Sequence, residues 1–234
     1  MSKPDYTAAA QALLRDANHA ILSTLSVQIP GYPFGSVVPC ALTRACEPIL
    51  CISDLAEHAQ NIKRDPRVAL TAIAPNSAPE TQSGARFTYV GDAKLVPEDQ
   101  LDEVRSQFLA LVPSARIYAG FGDFHFYTVS MVRGRYIGGF GAIAWVESDA
   151  FAIPDPMATA ISLADLNQQL AAPLAAIDAV VVSVDRFGFN TLTAGETPHR
   201  WSLATPLDLA GAPPDLTIVR EAIATALAGH PVAR

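Results

Sequence analysis

The chain is short of charge and of cysteine. Of its 234 residues, 17% are charged and three are cysteines, Cys40, Cys46 and Cys51, with no CxxC spacing. An odd count at these positions suits neither a disulfide framework nor a zinc site. A reducing compartment and three small buried hydrophobes are the simpler reading. Excess positive charge is also missing: the net charge is −7 and the pI about 5.1, which argues against nucleic acid or an anionic membrane as the main partner. No apolar run approaches the ~18 residues a membrane span needs. The N-terminus lacks the basic region, apolar run and cleavage site of a secretory signal. The expectation is a soluble, cytoplasmic protein. Internal repeats, low-complexity tracts and His/Cys/Asp clusters at metal spacing are absent as well.

What is present is apolar mass. Half the residues are hydrophobic, enough to bury one large domain, or one domain and a smaller one. The stretch from Ile49 to Leu70 is the most informative. Ile49 to Ile52 is an apolar, β-prone run of strand length. Asp54 followed by Glu57 has the spacing of a capping box. Lys63 and Arg64 favour the end of a short helix, and Asp65-Pro66 stops it before a strand that begins at Arg67. Free amides at the start of that helix, with the Ser53 hydroxyl and His58 nearby, make a candidate phosphate cradle.

Thr7 to Asn18 carries apolar residues at helical spacing. Strands are expected at Ala20–Ser26 and Gly35–Leu42, the second demoted to an edge or a bulge by Pro39. Loop chemistry marks 75–82. A strand over 86–96 breaks at Gly91 in a bulge. Pro97-Glu98-Asp99 opens a helix that stops before Pro113. A strand follows Phe121, Arg133-Gly134 reads as a tight turn, and Gly138-Gly139-Phe140-Gly141 reads as a strand bulge rather than a nucleotide loop. Six or seven strands around two or three helices, at this spacing, predict an antiparallel barrel. Phe151 to Pro156 marks a boundary between a domain over 1–150 and a small α+β module over 151–234. In that module Ser162 caps a helix reaching about Ile177 with a kink near Pro173. A buried strand at Ala179–Val184 turns at Arg186-Phe187, and Leu216–Ala228 closes the chain as a helix.

Taken in order, Leu22-Ser23-Thr24-Leu25, Gly31 to Pro39, the Ile49–Leu70 stretch, Arg86 to Gly91, Tyr118 to Phe124 and Tyr136 to Gly141 resemble the FMN-binding split barrel of the pyridoxamine 5′-phosphate oxidase superfamily. Within it the pattern is similar to the haem-utilisation branch. Val184-Asp185-Arg186-Phe187-Gly188 resembles the small C-terminal domain often fused to that branch. The resemblance implies an α+β fold, a homodimer, and FMN at the subunit interface. Backbone of Ser36, Val37, Val38 and Pro39 would face the flavin ring. Ser53, Asp54, His58 and Asn61 would surround the phosphate, and Arg86 would approach from the neighbouring strand. It further implies an FMN-dependent oxidoreductase of undetermined substrate. The alternatives are a haem-binding or haem-degrading protein, or a non-catalytic flavin or small-ligand-binding dimer.

Departures from the pattern narrow this. Ser36 and Ala41 stand where pyridoxamine phosphate oxidases carry basic residues, and no Arg-Leu-x-Pro segment follows Trp145, so vitamin B6 oxidation is excluded. The fused domain's opening helix reads Asp165-Leu166-Asn167-Gln168-Gln169-Leu170 and lacks the histidines of its relatives. Asp123 and His125, two apart on a strand, share a face but have no third partner in the sequence. His199 and His230 stand alone in the second half.

Overall fold

The computed structural model describes residues 6–43, 45–74, 84–139, 141–151, 162–185, 188–193, 198–203, 207 and 216–229. Loop 75–82, the boundary at 152–156, the turn residues Arg186 and Phe187, and His230 lie outside the described residues. The chain divides into two compact units, Met1–Ile153 and Pro154–Arg234.

In the first unit, α1 (Tyr6–Asp16) precedes β1 (His19–Leu25), β2 (Pro33–Pro39), the two-residue β3 (Ala41–Leu42) and β4 (Pro48–Ser53). Helix α2 (Glu57–Arg64), β5 (Arg67–Ile73), β6 (Arg86–Leu95) and α3 (Glu98–Leu111) follow. A 3-10 turn (Pro113–Ile117), β7 (Phe124–Ile137), β8 (Ile143–Glu147) and the short α4 (Ser148–Phe151) complete it. The strands form one antiparallel sheet in the order β2-β1-β5-β6-β7-β4-β3, with β8 on β7. This is the expected α+β antiparallel barrel, with one more short strand than the sequence suggests.

The reason β4 is apolar throughout is that it has no solvent side. Leu50 and Ile52 enter the main core with Leu14, Leu22, Leu70, Phe87 and Tyr89. Ile49 and Cys51 pack the opposite way, against Val104 and Phe108 of α3 and against Phe126. A strand buried on both faces loses the polar alternation of a half-exposed one. All three thiols are buried and unbridged, and burial pushes Cys40 up to about 12. Pro39 ends the edge strand β2, as its missing N–H requires.

The register of β6 on β7 shifts between Val90 and Gly91, so the expected bulge is there. A Cβ on Gly91 would fall 2.2 Å from the Ser130 carbonyl oxygen, which explains glycine at this position.

Three local expectations are corrected. Arg133-Gly134 is not a turn: β7 runs unbroken through it, pairing Arg133 with Val90 and Gly134 with Tyr89. Glycine is required at 134 because the Phe87 ring lies against it, 2.4 Å from where a Cβ would stand. That ring is stacked on Phe151 at 5.5 Å. The reverse turn comes later, where Gly138 N–H donates to the Ala142 carbonyl at 2.7 Å and Gly139 and Gly141 take positive φ. Gly138, Gly139 and Gly141 therefore belong to the connection between β7 and β8 and not to a strand bulge. Finally, Pro97 precedes α3 as its N-cap instead of occupying the first helical position.

In the second unit Ser162 caps as expected, its Oγ accepting from the Asp165 N–H. The expected single helix is two, α5 (Leu163–Gln169) and α6 (Ala171–Ala175), separated at Leu170. Pro173 cannot donate to residue 169 and its ring crowds that carbonyl. Strands β9 (Ala179–Asp185), β10 (Gly188–Thr193) and β11 (Pro198–Ser202) form a sheet in that order, and α7 (Leu216–Ala228) supplies Val219, Ile223 and Leu227 to a core with Leu166, Leu170 and Phe189.

Gly91→Ala should lose about 1–3 kcal/mol of stability in urea denaturation of the full chain, since a backbone carbonyl must move to admit the methyl. Gly122→Ala, with nothing within 4 Å of its Cβ position, should stay close to wild type.

Candidate functional site

Helix α2 and the strands around it hold most of the residues singled out from the sequence, but in two separate places. Its N-terminus is built differently from the capping box. The N-cap is Ala56, in extended conformation and without a side-chain cap. Asp54 is drawn away from the helix start by cations: Oδ1 lies 2.8 Å from Lys63 Nζ and Oδ2 3.1 Å from His125 Nε2. The hydrogen bond with Lys63, followed by the charge of His125, holds the Asp54 carboxyl below its ordinary range.

Ser53 is also occupied by the protein. Its hydroxyl donates to Asp123 Oδ2 at 2.6 Å and accepts from the Leu55 N–H at 3.1 Å. The Asp54 N–H donates to the Asp123 carbonyl at 2.7 Å. Asp123 and His125, without partners in the sequence, therefore find them seventy residues away across the β4–β7 pairing, which sets Ser53 opposite Phe124 and Ile52 opposite His125.

On the other side of α2, His58 and Ser36 meet, His58 Nδ1 lying 3.2 Å from Ser36 Oγ. Both are half-buried, and burial lowers the His58 pKa. Asn61 is fully buried and its amide is engaged at both ends. Nδ2 donates to Thr24 Oγ1 at 2.9 Å, and Oδ1 accepts from the Val27 N–H at 2.8 Å. It fastens α2 to the end of β1.

Val37 and Arg86 face the opposite surface of the sheet. Val37 pairs with Ile21, Ile21 with Thr71, Thr71 with Thr88, Thr88 with Arg135 and Arg135 with Trp145. Directly opposed residues share a face, so these form one row across six strands. Val37 is 73% and Trp145 51% exposed. A neighbouring row runs Ile73, Arg86, Ile137, Ile143. Arg86 reaches the Gly84 carbonyl at 3.3 Å. Pro39 is exposed at the end of β2, while Val38 is buried in the core.

The sequence reading missed the cationic part of this face. Trp145 lies under two guanidinium groups, Arg133 at 4.5 Å and Arg135 at 4.8 Å from its centroid. Arg133 also donates to Glu147 through Nε at 3.0 Å and Nη2 at 2.6 Å. Arg135 has no carboxylate partner among the described residues. The available signal was the Arg-x-Arg alternation, which puts both side chains on one face of a strand. Reading Arg133-Gly134 as a turn concealed it.

Four similarities to known proteins bear on the fold. A family model described as "CREG, beta-barrel" matches residues 2–152. The chloroplastic non-canonical haem oxygenase HOZ of Arabidopsis thaliana is 40% identical over 131 residues, 56% of this chain and 39% of that protein. The chain thus spans about two fifths of the length of that curated relative. A haem-binding protein from Mycobacterium smegmatis superposes with a TM-score of 0.62 at 27% identity, covering 97% of this chain and 98% of its own. A protein of the pyridoxine-phosphate oxidase family from Clostridium acetobutylicum shares the fold at 11% identity, with a TM-score of 0.51 over 64% of this chain and 99% of its own. The split-barrel fold is the common element.

Asp54, held ionised below its ordinary value of 3.8, contributes stability that is present above that value and lost as pH falls through its lower folded-state value. The gap in denaturation midpoint between wild type and Asp54→Asn should therefore close as the pH is taken from 6 to about 2.5. A gap independent of pH would mean that the carboxylate charge is immaterial.

Proposed function

Because the chain belongs to the CREG β-barrel family, with haem-binding and haem-oxygenase relatives, we propose that it binds haem and promotes oxygen-dependent opening of the ring. An external donor would supply the electrons. The observation that carries this reading is the contrast between the two surfaces just described. Around Ser53 the groups nearest the start of α2 are two carboxylates, Asp54 and Asp123, and the one lysine there is already paired with Asp54. A phosphate approaching near-dianionic charge is disfavoured by that field, and the Ser53 hydroxyl would have to give up two hydrogen bonds to hold it. These residues do not fit the phosphate of FMN.

The outer face offers the complementary chemistry: exposed Ile21, Val37, Ile73, Ile143 and Trp145 beside Arg135, which has no carboxylate partner among the described residues. An extended apolar macrocycle carrying carboxylates suits such a surface. We further propose that a second copy of the chain covers this face and closes the site. A single open sheet face leaves a flat ligand half-solvated, and large exposed apolar residues are concentrated there. Asn61 then acts as a positioning residue for α2 and not as a ligand contact.

Titrating the purified full chain separately with haemin and with FMN tests this. A Soret band that saturates at one haemin per chain, with no quenching of FMN fluorescence, supports the haem reading; flavin uptake without a Soret band overturns it. Aerobic addition of a reductant to the haem complex should then bleach the Soret band. Val37→Glu should shift the sedimentation velocity from dimer to monomer and weaken haemin binding with it.

A further inference from the structure

The haem reading requires either an iron ligand from the chain or none, and the sequence does not single one out. Four histidines are described. His125 Nε2 is held against Asp54. His58 is half-buried against Ser36. His199 belongs to the second unit, edge-on to Trp201 at 4.9 Å. His19 differs from all three. It is exposed at the start of β1, where it pairs with Pro39. Side chains alternate along a strand, so His19 shares the outward face of Ile21. It stands two residues beyond the Ile21–Thr71 pair, at the end of β1 beside the end of β5, where Ile73 opens the row continued by Arg86, Ile137 and Ile143.

The ring is also set up chemically. His19 Nδ1 lies 2.6 Å from Asn18 Oδ1. An amide oxygen only accepts, so Nδ1 carries the proton, and the lone pair is left on Nε2. A ligating imidazole commonly has this arrangement, its other N–H donating to a carbonyl that fixes tautomer and ring orientation. Arg135 stands three strand spacings away across β5 and β6 and two residues along the strands, roughly 16 Å between backbones. Ile21, Thr71 and Thr88 lie on the same face between them, and the Arg135 guanidinium rests over Trp145 on β8, from which its long side chain can swing toward a ligand on this face. An iron at the centre of a ring and a carboxylate at its rim can meet the two at once.

Resting on the haem reading above, we infer that His19 Nε2 is the axial iron ligand of a tetrapyrrole lying on the outer sheet face, and that Arg135 pairs with a carboxylate at its rim. The ligand class is then an iron tetrapyrrole with free carboxylates, and the residue that distinguishes it from an esterified one is Arg135.

The test uses the full chain with ferric haemin, read by absorption and electron paramagnetic resonance. His19→Ala should lose the imidazole-ligated signature, and added imidazole should restore it. His19→Gln, which keeps size and polarity, is read alongside so that a folding defect in the alanine variant does not decide the matter. Arg135→Leu should weaken haemin about tenfold while leaving haemin dimethyl ester unchanged. A wild-type protein that gives no Soret band fails the haem reading itself. Wild-type binding with an unaltered His19→Gln spectrum, or loss of binding that imidazole does not rescue, overturns the ligand assignment and leaves the haem reading standing. Equal weakening of haemin and its diester by Arg135→Leu overturns the carboxylate contact.

Discussion

Strand β4 has to be buried from both sides, and the rest of the first unit is arranged to do this. Leu50 and Ile52 need the main core; Ile49 and Cys51 need α3. With helices and core filling both sides of this strand, the surface left open is that of β2, β1, β5, β6, β7 and β8. The open rows of Val37, Ile21, Trp145 and their neighbours are a by-product of where the chain placed its helices. At roughly 25 cal/mol per Å² of buried apolar area, covering these rows would be favourable.

Long strand β7 transmits this arrangement. Its first residues pair with β4 and its last with β8, while β6 lies along most of its length. It therefore brings Asp123 and His125 to the α2 side at one end and Arg133 and Arg135 to the outer face at the other. The two candidate surfaces are opposite in sign: carboxylates beside Ser53, guanidinium groups beside Trp145. A ligand's charge is enough to choose between them.

Local chemistry was legible in the sequence. The β4 run, the Asp65-Pro66 stop, Pro39 at an edge, the break at Gly91 and the Ser162 cap each depend on a few neighbouring residues. What failed depended on distant ones. Asp54 reads as a cap until Lys63 and His125 are beside it. Gly134 reads as a turn until the Phe87 ring is packed on it. Ser53 reads as an open hydroxyl until β7 delivers Asp123. Of the residues proposed from the sequence, Ser36 and His58 do come together. Asn61 has its amide engaged within the fold, and Val37 and Arg86 belong to the other surface. Alternation along a strand is visible in sequence; which of its two faces will be left open is decided by elements far away.

Strand β2 has a further significance in its ends. It lies at one edge of the sheet, and it begins with Pro33 and finishes with Pro39. At the other end of the order lies β3, two residues long. Proline offers no amide to an incoming strand, and two residues offer too short a template. A half-hydrophobic chain with open, apolar β surface is at risk of stacking edge to edge into fibrils. At these two borders the sheet resists strand addition, which leaves the five-residue β8 as the edge a second copy of the strand could reach and narrows the route to polymerisation.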